Sequence, residues 1–302
     1  MTVPRYSRIR GPRLAAPLGP LDPRDHAWRA DLADLALHAL VAVPNYIEPL
    51  PMVASRQTMM FGDPRGAGEA VSELLPGEGF AMLDCAHGFA WGYSLADHYV
   101  GHVAMEALEE PGGEAGRRVG PGDALLFRQP SIKAEVAMTL PAGAIVHPGD
   151  VHPEDVHSGD GADSFVQLQA GPGSGLYLHR RHLLDDTSPD WVDIAMGFLG
   201  SPYRWGGRSR AGIDCSGLVQ VARQLAGHRC RRDSDMILAD AAIAPTADSA
   251  ARGDLCGWPG HVGLLVDRHH LLHANAHHMS TVIEPLADVV ARAESPPRFR
   301  RF

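Results

Sequence analysis

Lysine is almost absent from this sequence, and positive charge as a whole is in short supply. Lys133 is the single lysine, so nearly every basic side chain is an arginine. Acidic residues outnumber basic ones by 36 to 27, which gives a formal net charge of −9 at pH 7. Because contacts to phosphates need a basic face, this balance argues against a nucleic-acid partner.

Long apolar runs are also missing. No stretch approaches the ~18 uninterrupted apolar residues of a transmembrane helix, so we expect no membrane partner. Residues 1–20 carry four arginines, but Pro17 and Pro20 interrupt the apolar core that a signal peptide requires. We therefore expect a cytoplasmic protein.

Cysteines are few and widely spaced. They form no C-x-x-C pair, and their spacing predicts neither a disulfide framework nor a zinc site. A reducing compartment fits this pattern, and it leaves free thiols available for chemistry. The four are Cys85, Cys215, Cys230 and Cys256.

Glycine and proline, in contrast, are abundant, with 33 and 24 among 302 residues, which predicts many turns and short strands. The length favours two or three domains. The first region, 1–45, is interpreted as an N-terminal tail followed by one amphipathic helix over 28–43. Leucines recur there at mostly helical spacing, and Pro44 ends the run.

Residues 46–185 contain an internal repeat. Short apolar runs alternate with glycine and proline, as in small antiparallel barrels. Four matched pairs lie 66 residues apart: Phe61 and Phe127, Pro64 and Pro130, Leu74 and Leu140, Gly77 and Gly143. We interpret 46–110 and 119–185 as two copies of one all-β module, joined by a linker at 110–116. The extra residues of the second copy fall in a polar stretch, 147–164, that we predict to be a surface loop.

The last region, 187–302, carries the candidate chemistry. A helix is predicted over 214–225, with Asp214 as its N-cap, Cys215 at its first position and Gly227 after its end. A thiol at a helix N-terminus is favoured as the thiolate by the unpaired N–H groups and the macrodipole. Cys215 is therefore the candidate nucleophile.

A nucleophilic thiol also needs a base and a residue that orients the base. His261, at a predicted strand start, is the candidate base, and we expect it to be protonated in the resting pair. His273, on the next strand, is the candidate orienting residue. If position 263 pairs with 273, the two histidines share one face; a slip of one residue separates them.

A metal site is the alternative use of the many histidines. They crowd between 269 and 278, at a spacing that matches no zinc motif and without obvious carboxylate partners. We expect no metal and no other cofactor. The crowded set is His269, His270, His273, His277 and His278.

One further pattern is more specific. Residues 200–220, GSPYRWGGRSRAGIDCSGLVQ, resemble the catalytic opening of the NlpC family of papain-like cell-wall cysteine peptidases. The blocks Gly-Asp-Leu at 253–255, His-Val-Gly at 261–263 and Leu-His-Ala at 272–274 resemble its later motifs, in the same order. The resemblance implies an α+β papain-like catalytic domain over 187–302, preceded by two bacterial SH3-like barrels. It implies Cys215, His261 and His273 as the catalytic residues.

The subgroup with such SH3-type domains resembles γ-D-glutamyl-L-diamino-acid endopeptidases. By that resemblance Tyr99, in Asp-His-Tyr-Val-Gly at 97–101, closes a pocket for the substrate amine. Asp214 faces the substrate ammonium, and Ser216 helps to hold it. Asp233 and Ser234, in an Arg-Asp-Ser block, contact the L-Ala-γ-D-Glu end.

The implied function is cleavage of the γ-D-Glu–diamino-acid bond in peptidoglycan stem peptides with a free N-terminal L-Ala. The substrate partner is then a small peptide, and the role is turnover or recycling of released peptides. Two alternatives stay open: a non-catalytic protein that binds wall peptides, and an exported hydrolase of intact cell wall.

Overall fold

Two compact units make up the protein in a computed structural model. The first comprises Met1–Leu74 and Glu78–Pro111, the second Leu75–Gly77 and Gly112–Phe302. The structure describes residues 16–17, 21–112, 116–149, 164–184 and 190–302. The centre of the predicted linker and most of the predicted loop at 147–164 lie outside the described residues.

The N-terminal segment contradicts the predicted helix over 28–43. A tight turn after Arg29 makes a two-strand hairpin, and Asp34 then caps one 3-10 turn by accepting a hydrogen bond from the N–H of Ala36. Leu32, Leu35 and Leu37 instead pack in small clusters formed by short strands and turns, whereas Leu40 is exposed. The strands are β1 (Ala16–Pro17), β2 (Trp28–Arg29), β3 (Leu32–Asp34), β4 (Val41–Ala42) and β5 (Tyr46–Ile47).

The first unit continues as one antiparallel sheet in the order β12-β6-β9-β10-β11-β7-β8. Alternate residues of its strands bury Met60, Leu74, Phe80 and Val103 in one small core. Its strands are β6 (Leu50–Ala54), β7 (Thr58–Phe61), β8 (Ala70–Leu74), β9 (Gly79–Ala86), β10 (Phe89–Ser94), β11 (Val100–Ala104) and β12 (Leu108–Glu109).

A second sheet repeats this plan. Its strands are β13 (Arg117–Arg118), β14 (Ala124–Phe127), β15 (Val136–Leu140), β16 (Ile145–Pro148), β17 (Phe165–Ala170) and β18 (Tyr177–His179). The order β13-β16-β17-β18-β14-β15 matches β6-β9-β10-β11-β7-β8 strand for strand. β14 and β15 lie 66 residues after β7 and β8, and both pairs have a bulge at the equivalent step.

The predicted barrels are wrong in one respect. The outer strands of each sheet do not pair with each other, so both sheets stay open rather than closed. Short edge strands explain this outcome, since β12 and β13 offer only two residues each for pairing.

The chain ends in a five-stranded antiparallel sheet with helices on both faces. Its elements are α1 (Trp191–Met196), β19 (Arg208–Ser209), β20 (Gly212–Ile213), α2 (Cys215–Leu225), α3 (Ser234–Asp240), β21 (Leu255–Trp258), β22 (His261–Leu265), β23 (His270–Asn275), β24 (Ser280–Pro285), α4 (Leu286–Arg292) and β25 (Arg298–Arg300). The sheet order is β24-β23-β22-β21-β25.

Packing of α2 against this sheet positions the site. Leu218 and Ala222 of the helix are buried in one cluster with Val262 and Leu264 of β22. Because side chains alternate along a strand, the odd-numbered residues of β22, His261 among them, face the other side, where α4 packs. The start of α2 lies against the start of β22 through the backbone, where the N–H of Val262 forms a hydrogen bond with Cys215.

Candidate active site

Cys215 begins α2, as the sequence predicts, with Asp214 as the N-cap. The thiol is buried, and the backbone N–H groups of Val262 and Ser216 form hydrogen bonds that favour its charged form. Burial nevertheless dominates and, together with the nearby Asp214 charge, raises the pKa of Cys215 to about 12. Burial therefore opposes the thiolate that the position at the helix start favours.

Asp214 is surrounded by donors. Its carboxylate accepts hydrogen bonds from the N–H of Gly217 at 2.6 Å and of Gly206 at 2.8 Å. Arg232 adds a bidentate ion pair, with Nη1–Oδ1 at 3.0 Å and Nη2–Oδ2 at 2.5 Å. Arg232 also donates to the Ser216 hydroxyl at 2.8 Å. Arg232 therefore compensates the charge of the buried Asp214 carboxylate, a partnership that the sequence analysis did not predict.

His261 and His273 form a direct hydrogen bond. Leu264 pairs with Leu272 across β22 and β23, which is the register that puts both histidines on one face. Nε2 of His261 lies 2.8 Å from Nδ1 of His273. Burial, assisted by the neighbouring His273, lowers the pKa of His261 to about 4. This shift favours a neutral imidazole at rest, in contrast to the protonated one that the sequence analysis expects.

Glu284 extends this pair and was missed in the sequence. Its Oε1 lies 2.6 Å from Nε2 of His273. Arg292, the last residue of α4, holds both oxygens of the same carboxylate. Nothing in the local spacing signals this contact, because it depends on the pairing of β23 with β24 and on the return of α4 across the sheet.

Tyr203 is a second residue to which the sequence reasoning gave no role. It belongs to the 200–220 motif and lies within electrostatic range of Cys215 and Asp214. Burial, together with the nearby Cys215 and Asp214, raises the pKa of the phenol to about 12. Tyr203 is therefore a protonated hydrogen-bond donor at neutral pH.

The remaining predicted substrate residues are less closely connected to the thiol. Asp233 is the N-cap of α3 and Ser234 its first residue, directly after the buried Arg232 that contacts Asp214. Both are partly exposed. Tyr99 is buried and belongs to the first unit. The roles of these three residues in substrate binding stay predictions.

No group of three or more histidine, cysteine or acidic side chains in the described ranges is arranged to hold a metal ion. Within the crowded histidine stretch, His270 instead pairs with Asp267, Nδ1–Oδ2 at 2.9 Å. Among the described residues, no helix is long and apolar enough to cross a membrane.

A cysteine at a helix start, beside a strand that begins with a histidine ordered by a second polar side chain, defines a papain-like thiol hydrolase site. Residues 200–292 match the NlpC/P60 family, and residues 60–108 match the bacterial dipeptidyl-peptidase SH3 domain. The chain therefore contains a papain-like NlpC/P60 domain and an SH3-like domain that precedes it.

Two curated proteins are similar to parts of the chain. Dipeptidyl-peptidase 6 of Lysinibacillus sphaericus is 32% identical over 165 residues, which cover 52% of this chain and 59% of that protein. Gamma-D-glutamyl-L-lysine dipeptidyl-peptidase of Bacillus subtilis (strain 168) is 32% identical over 116 residues, 36% of this chain and 39% of that protein. The matched regions thus span about half the length of these relatives.

A solved structure shows the same fold over a longer range. The crystal structure of an NlpC/P60 family protein from Bacillus cereus ATCC 10987 superposes with a TM-score of 0.67 at 15% sequence identity. The superposition covers 83% of this chain and 99% of that one.

Proposed function

We propose that this protein is a cysteine endopeptidase that cleaves the γ-D-Glu–diamino-acid bond of peptidoglycan stem peptides carrying a free N-terminal L-Ala. The observation that carries the proposal is that Cys215, at the start of α2, accepts a hydrogen bond from the N–H of Val262, the residue next to His261, which is itself hydrogen-bonded to His273. The name of the Bacillus subtilis relative supports the substrate class, and both names support a peptidase.

The reaction begins from a neutral thiol and a neutral imidazole. As the Cys215 sulfur attacks the γ-carbonyl carbon of D-Glu, its proton passes to His261. The tetrahedral intermediate collapses when the C–N bond breaks and His261 gives that proton to the leaving amine. Water then attacks the thioester, His261 takes a proton from it, and the thiol is restored with release of L-Ala-γ-D-Glu.

Neutral resting groups suit this sequence of steps. An imidazole whose pKa lies near 4 is unprotonated at neutral pH, so it is ready to accept the thiol proton. The negative charge then develops on the carbonyl oxygen. The N–H of Cys215 at the helix start and the protonated phenol of Tyr203 are the donors that we assign to it.

Substrate recognition is assigned to five residues. Tyr99, Asp214 and Ser216 would hold the free amine, and Asp233 with Ser234 would hold the L-Ala-γ-D-Glu backbone. Since Arg232 already balances Asp214, the ammonium joins an existing ion pair rather than filling an unpaired site. An acylated amine has no charge to add and brings extra bulk, so selection for a free amine follows.

The remaining assignments concern the whole chain. We propose that the second sheet, like the first, is an SH3-type module, within boundaries 1–45, 46–110, 119–185 and 187–302; its strand order supports this. A free-amine requirement excludes wall in which L-Ala is joined to the sugar. The role that follows is turnover or recycling of released peptides in the cytoplasm, without a cofactor or a nucleic-acid partner.

The test compares L-Ala-γ-D-Glu-meso-diaminopimelate with its N-acetylated form. The wild type, Cys215→Ala and the control Cys85→Ala, which removes the exposed thiol, are incubated with each peptide and followed by mass spectrometry. We expect release of L-Ala-γ-D-Glu from the free peptide alone, by the wild type and by Cys85→Ala.

Other outcomes separate the alternatives. Cleavage of both peptides would remove the amine pocket and favour a hydrolase of intact wall. Binding of the free peptide without cleavage, equal in the wild type and in Cys215→Ala, would favour a non-catalytic wall-peptide binder.

A further inference from the structure

A buried carboxylate stands behind the histidine pair, and the proposed reaction does not use it. Glu284 lies on β24 with its side chain 11% exposed, and its Oε1 approaches Nε2 of His273 at 2.6 Å. Arg292 binds both carboxylate oxygens, with Nη1–Oε2 at 2.7 Å. His278 lies 3.5 Å from Oε2.

The protonation of this cluster follows from its charges. Burial alone would raise the pKa of Glu284, but hydrogen bonds from Arg292 and His273 outweigh it and lower that pKa to about 2. Burial lowers the pKa of His273 below its usual value. At neutral pH an ionised carboxylate, which can only accept, therefore meets a neutral imidazole that carries a single proton.

Asn275 competes for the same ring nitrogen. Its Nδ2 lies 2.9 Å from Nε2 of His273, while its Oδ1 accepts a hydrogen bond from the N–H of His278 at 2.8 Å. This orientation points the amide N–H groups at the ring and favours an unprotonated Nε2. The contact with Glu284 is shorter and charge-assisted, and such bonds are roughly twice as strong as neutral ones. Glu284 therefore keeps the proton of His273 on Nε2.

The tautomer of His273 determines the tautomer of His261, the proposed base. When His273 is protonated on Nε2, its Nδ1 can only accept, so His261 must donate from Nε2 across the 2.8 Å contact. The lone pair on Nδ1 of His261 is then free to take a proton. The opposite tautomer of His273 would place the His261 proton on Nδ1 and leave no base for the thiol.

We propose that Glu284, held by Arg292, is a positioning residue that fixes both histidines as their Nε2–H tautomers and so keeps Nδ1 of His261 available as the base. The kinetic part of this inference rests on the proposed function, whereas the tautomers and the reactivity of the thiol do not. Neither Glu284 nor Arg292 contacts the substrate in this account.

A pH profile can distinguish an electrostatic role of Glu284 and Arg292 from a purely structural one. The charged and titratable groups that act on the pair are Glu284, Arg292 and His278. The Glu284 charge raises the pKa of both histidines, and the Arg292 charge lowers it. Removal of one or the other should move the acidic limb of a pH profile in opposite directions.

The experiment uses the full-length chain with Cys85→Ala, so that the exposed thiol does not react. Glu284→Gln and Arg292→Gln are compared with the control Asp288→Asn, an exposed carboxylate on α4. Three measurements are made: histidine tautomers by 15N NMR, the rate of Cys215 alkylation by iodoacetamide as a function of pH, and kcat and KM for the tripeptide.

We expect Nε2–H tautomers for His261 and His273 in the parent protein. Glu284→Gln should mix the tautomers, slow alkylation and lower kcat by about tenfold or more with KM unchanged, as expected for a lost orienting group. The acidic limb of the pH profile should move to lower pH in Glu284→Gln and to higher pH in Arg292→Gln. Asp288→Asn should match the parent.

Several results would overturn the inference. An Nδ1–H tautomer of either histidine in the parent protein would do so even if a variant fails to fold. The inference would also fail if Glu284→Gln kept the kcat and the tautomers of the parent protein. It would fail as well if the acidic limbs of the pH profiles moved in the same direction in Glu284→Gln and Arg292→Gln. If the parent cleaves no peptide but the tautomers and alkylation respond as described, the proposed function fails and this inference stands.

Discussion

At the scale of single residues, burial and hydrogen bonding have opposite effects on the charge of the Cys215 thiol, and burial also favours a neutral His261. The helix start favours a thiolate, yet burial raises the pKa of the thiol to about 12 and lowers that of the imidazole to about 4. Each group is therefore neutral at pH 7, and the proton moves only when the sulfur attacks. Burial, rather than the helix dipole, has the larger effect on the resting charge.

The pH dependence of cleavage tests this balance. His261 acts as a base only while unprotonated, so activity is lost as the pH falls through its pKa. Because burial depresses that pKa, we expect the acidic limb of kcat/KM well below the ordinary value of about 6.5. The measurement is kcat/KM for the free tripeptide from about pH 4 to pH 8, with folding monitored at each pH. A limb at or above 6.5 would contradict the account.

At the scale of elements, the start of α2 depends on one buried ion pair. Asp214 caps the helix, and Arg232, directly before α3, neutralises it while being almost fully buried. The pair thus joins the start of α2, with the nucleophile, to the start of α3, with Asp233 and Ser234. Removal of one partner would leave a buried charge without compensation.

Arg232→Gln is expected to lower the free energy of unfolding by about 3–5 kcal/mol, the range for breaking a buried pair from one side. The control is Arg231→Gln, whose partly exposed pair with Asp240 should contribute less than about 1 kcal/mol. Denaturant titrations of both variants provide the comparison. If both variants lost the same free energy of unfolding, burial would not explain the contribution of the Asp214–Arg232 pair.

Gly217 offers a second test of this element. A Cβ at this position would lie 2.3 Å from the carbonyl oxygen of Gly207, so no side chain fits between the helix and the loop. Alanine is normally the better helix former by about 1 kcal/mol. We nevertheless expect Gly217→Ala to lower kcat/KM by about tenfold or more, because the loop beside Cys215 must move. Gly62→Ala, which meets only an ordinary contact at 3.6 Å, is the control and should stay near wild type in the same assay.

At the scale of the whole molecule, the sequence predicts the repeated β module, but it does not predict that each sheet stays open instead of closing into a barrel. Matched residues 66 apart, Phe61 with Phe127 among them, predict two similar sheets, and the structure confirms the shared strand order. Whether the outer strands close into a barrel depends on pairing between distant segments. The helix predicted over 28–43 is absent for a related reason, since leucines at mostly helical spacing can also be buried by short strands and turns.

The candidate site was predictable in part. Local context identified Cys215, and the strand pattern identified His261 and His273, subject to a register that the structure supplies. Glu284 and the partnership of Arg232 with Asp214 were not predictable, because they join residues 11 and 18 positions apart through tertiary packing. Charge pairs of this kind leave no periodic signal.

Selection for a substrate with a free amine is assigned to residues that are far apart in the sequence, Tyr99 among them. If Tyr99 contributes a hydrogen bond to the substrate ammonium, Tyr99→Phe should reduce the preference for the free over the N-acetylated tripeptide by roughly 10- to 100-fold. Tyr177→Phe, a tyrosine of the second sheet, serves as the control. The ratio of the two kcat/KM values is the measurement, and an unchanged ratio in Tyr99→Phe would remove this role.

The central claim, that Cys215 is the nucleophile of an acyl transfer, is tested most directly by trapping the intermediate. The full-length protein is mixed with L-Ala-γ-D-Glu-meso-diaminopimelate, quenched in acid within a turnover, digested and analysed by mass spectrometry. We predict an L-Ala-γ-D-Glu thioester on the peptide that contains Cys215, and none in Cys215→Ala. Turnover without that adduct, or an adduct on Cys85, Cys230 or Cys256 instead, would contradict the account.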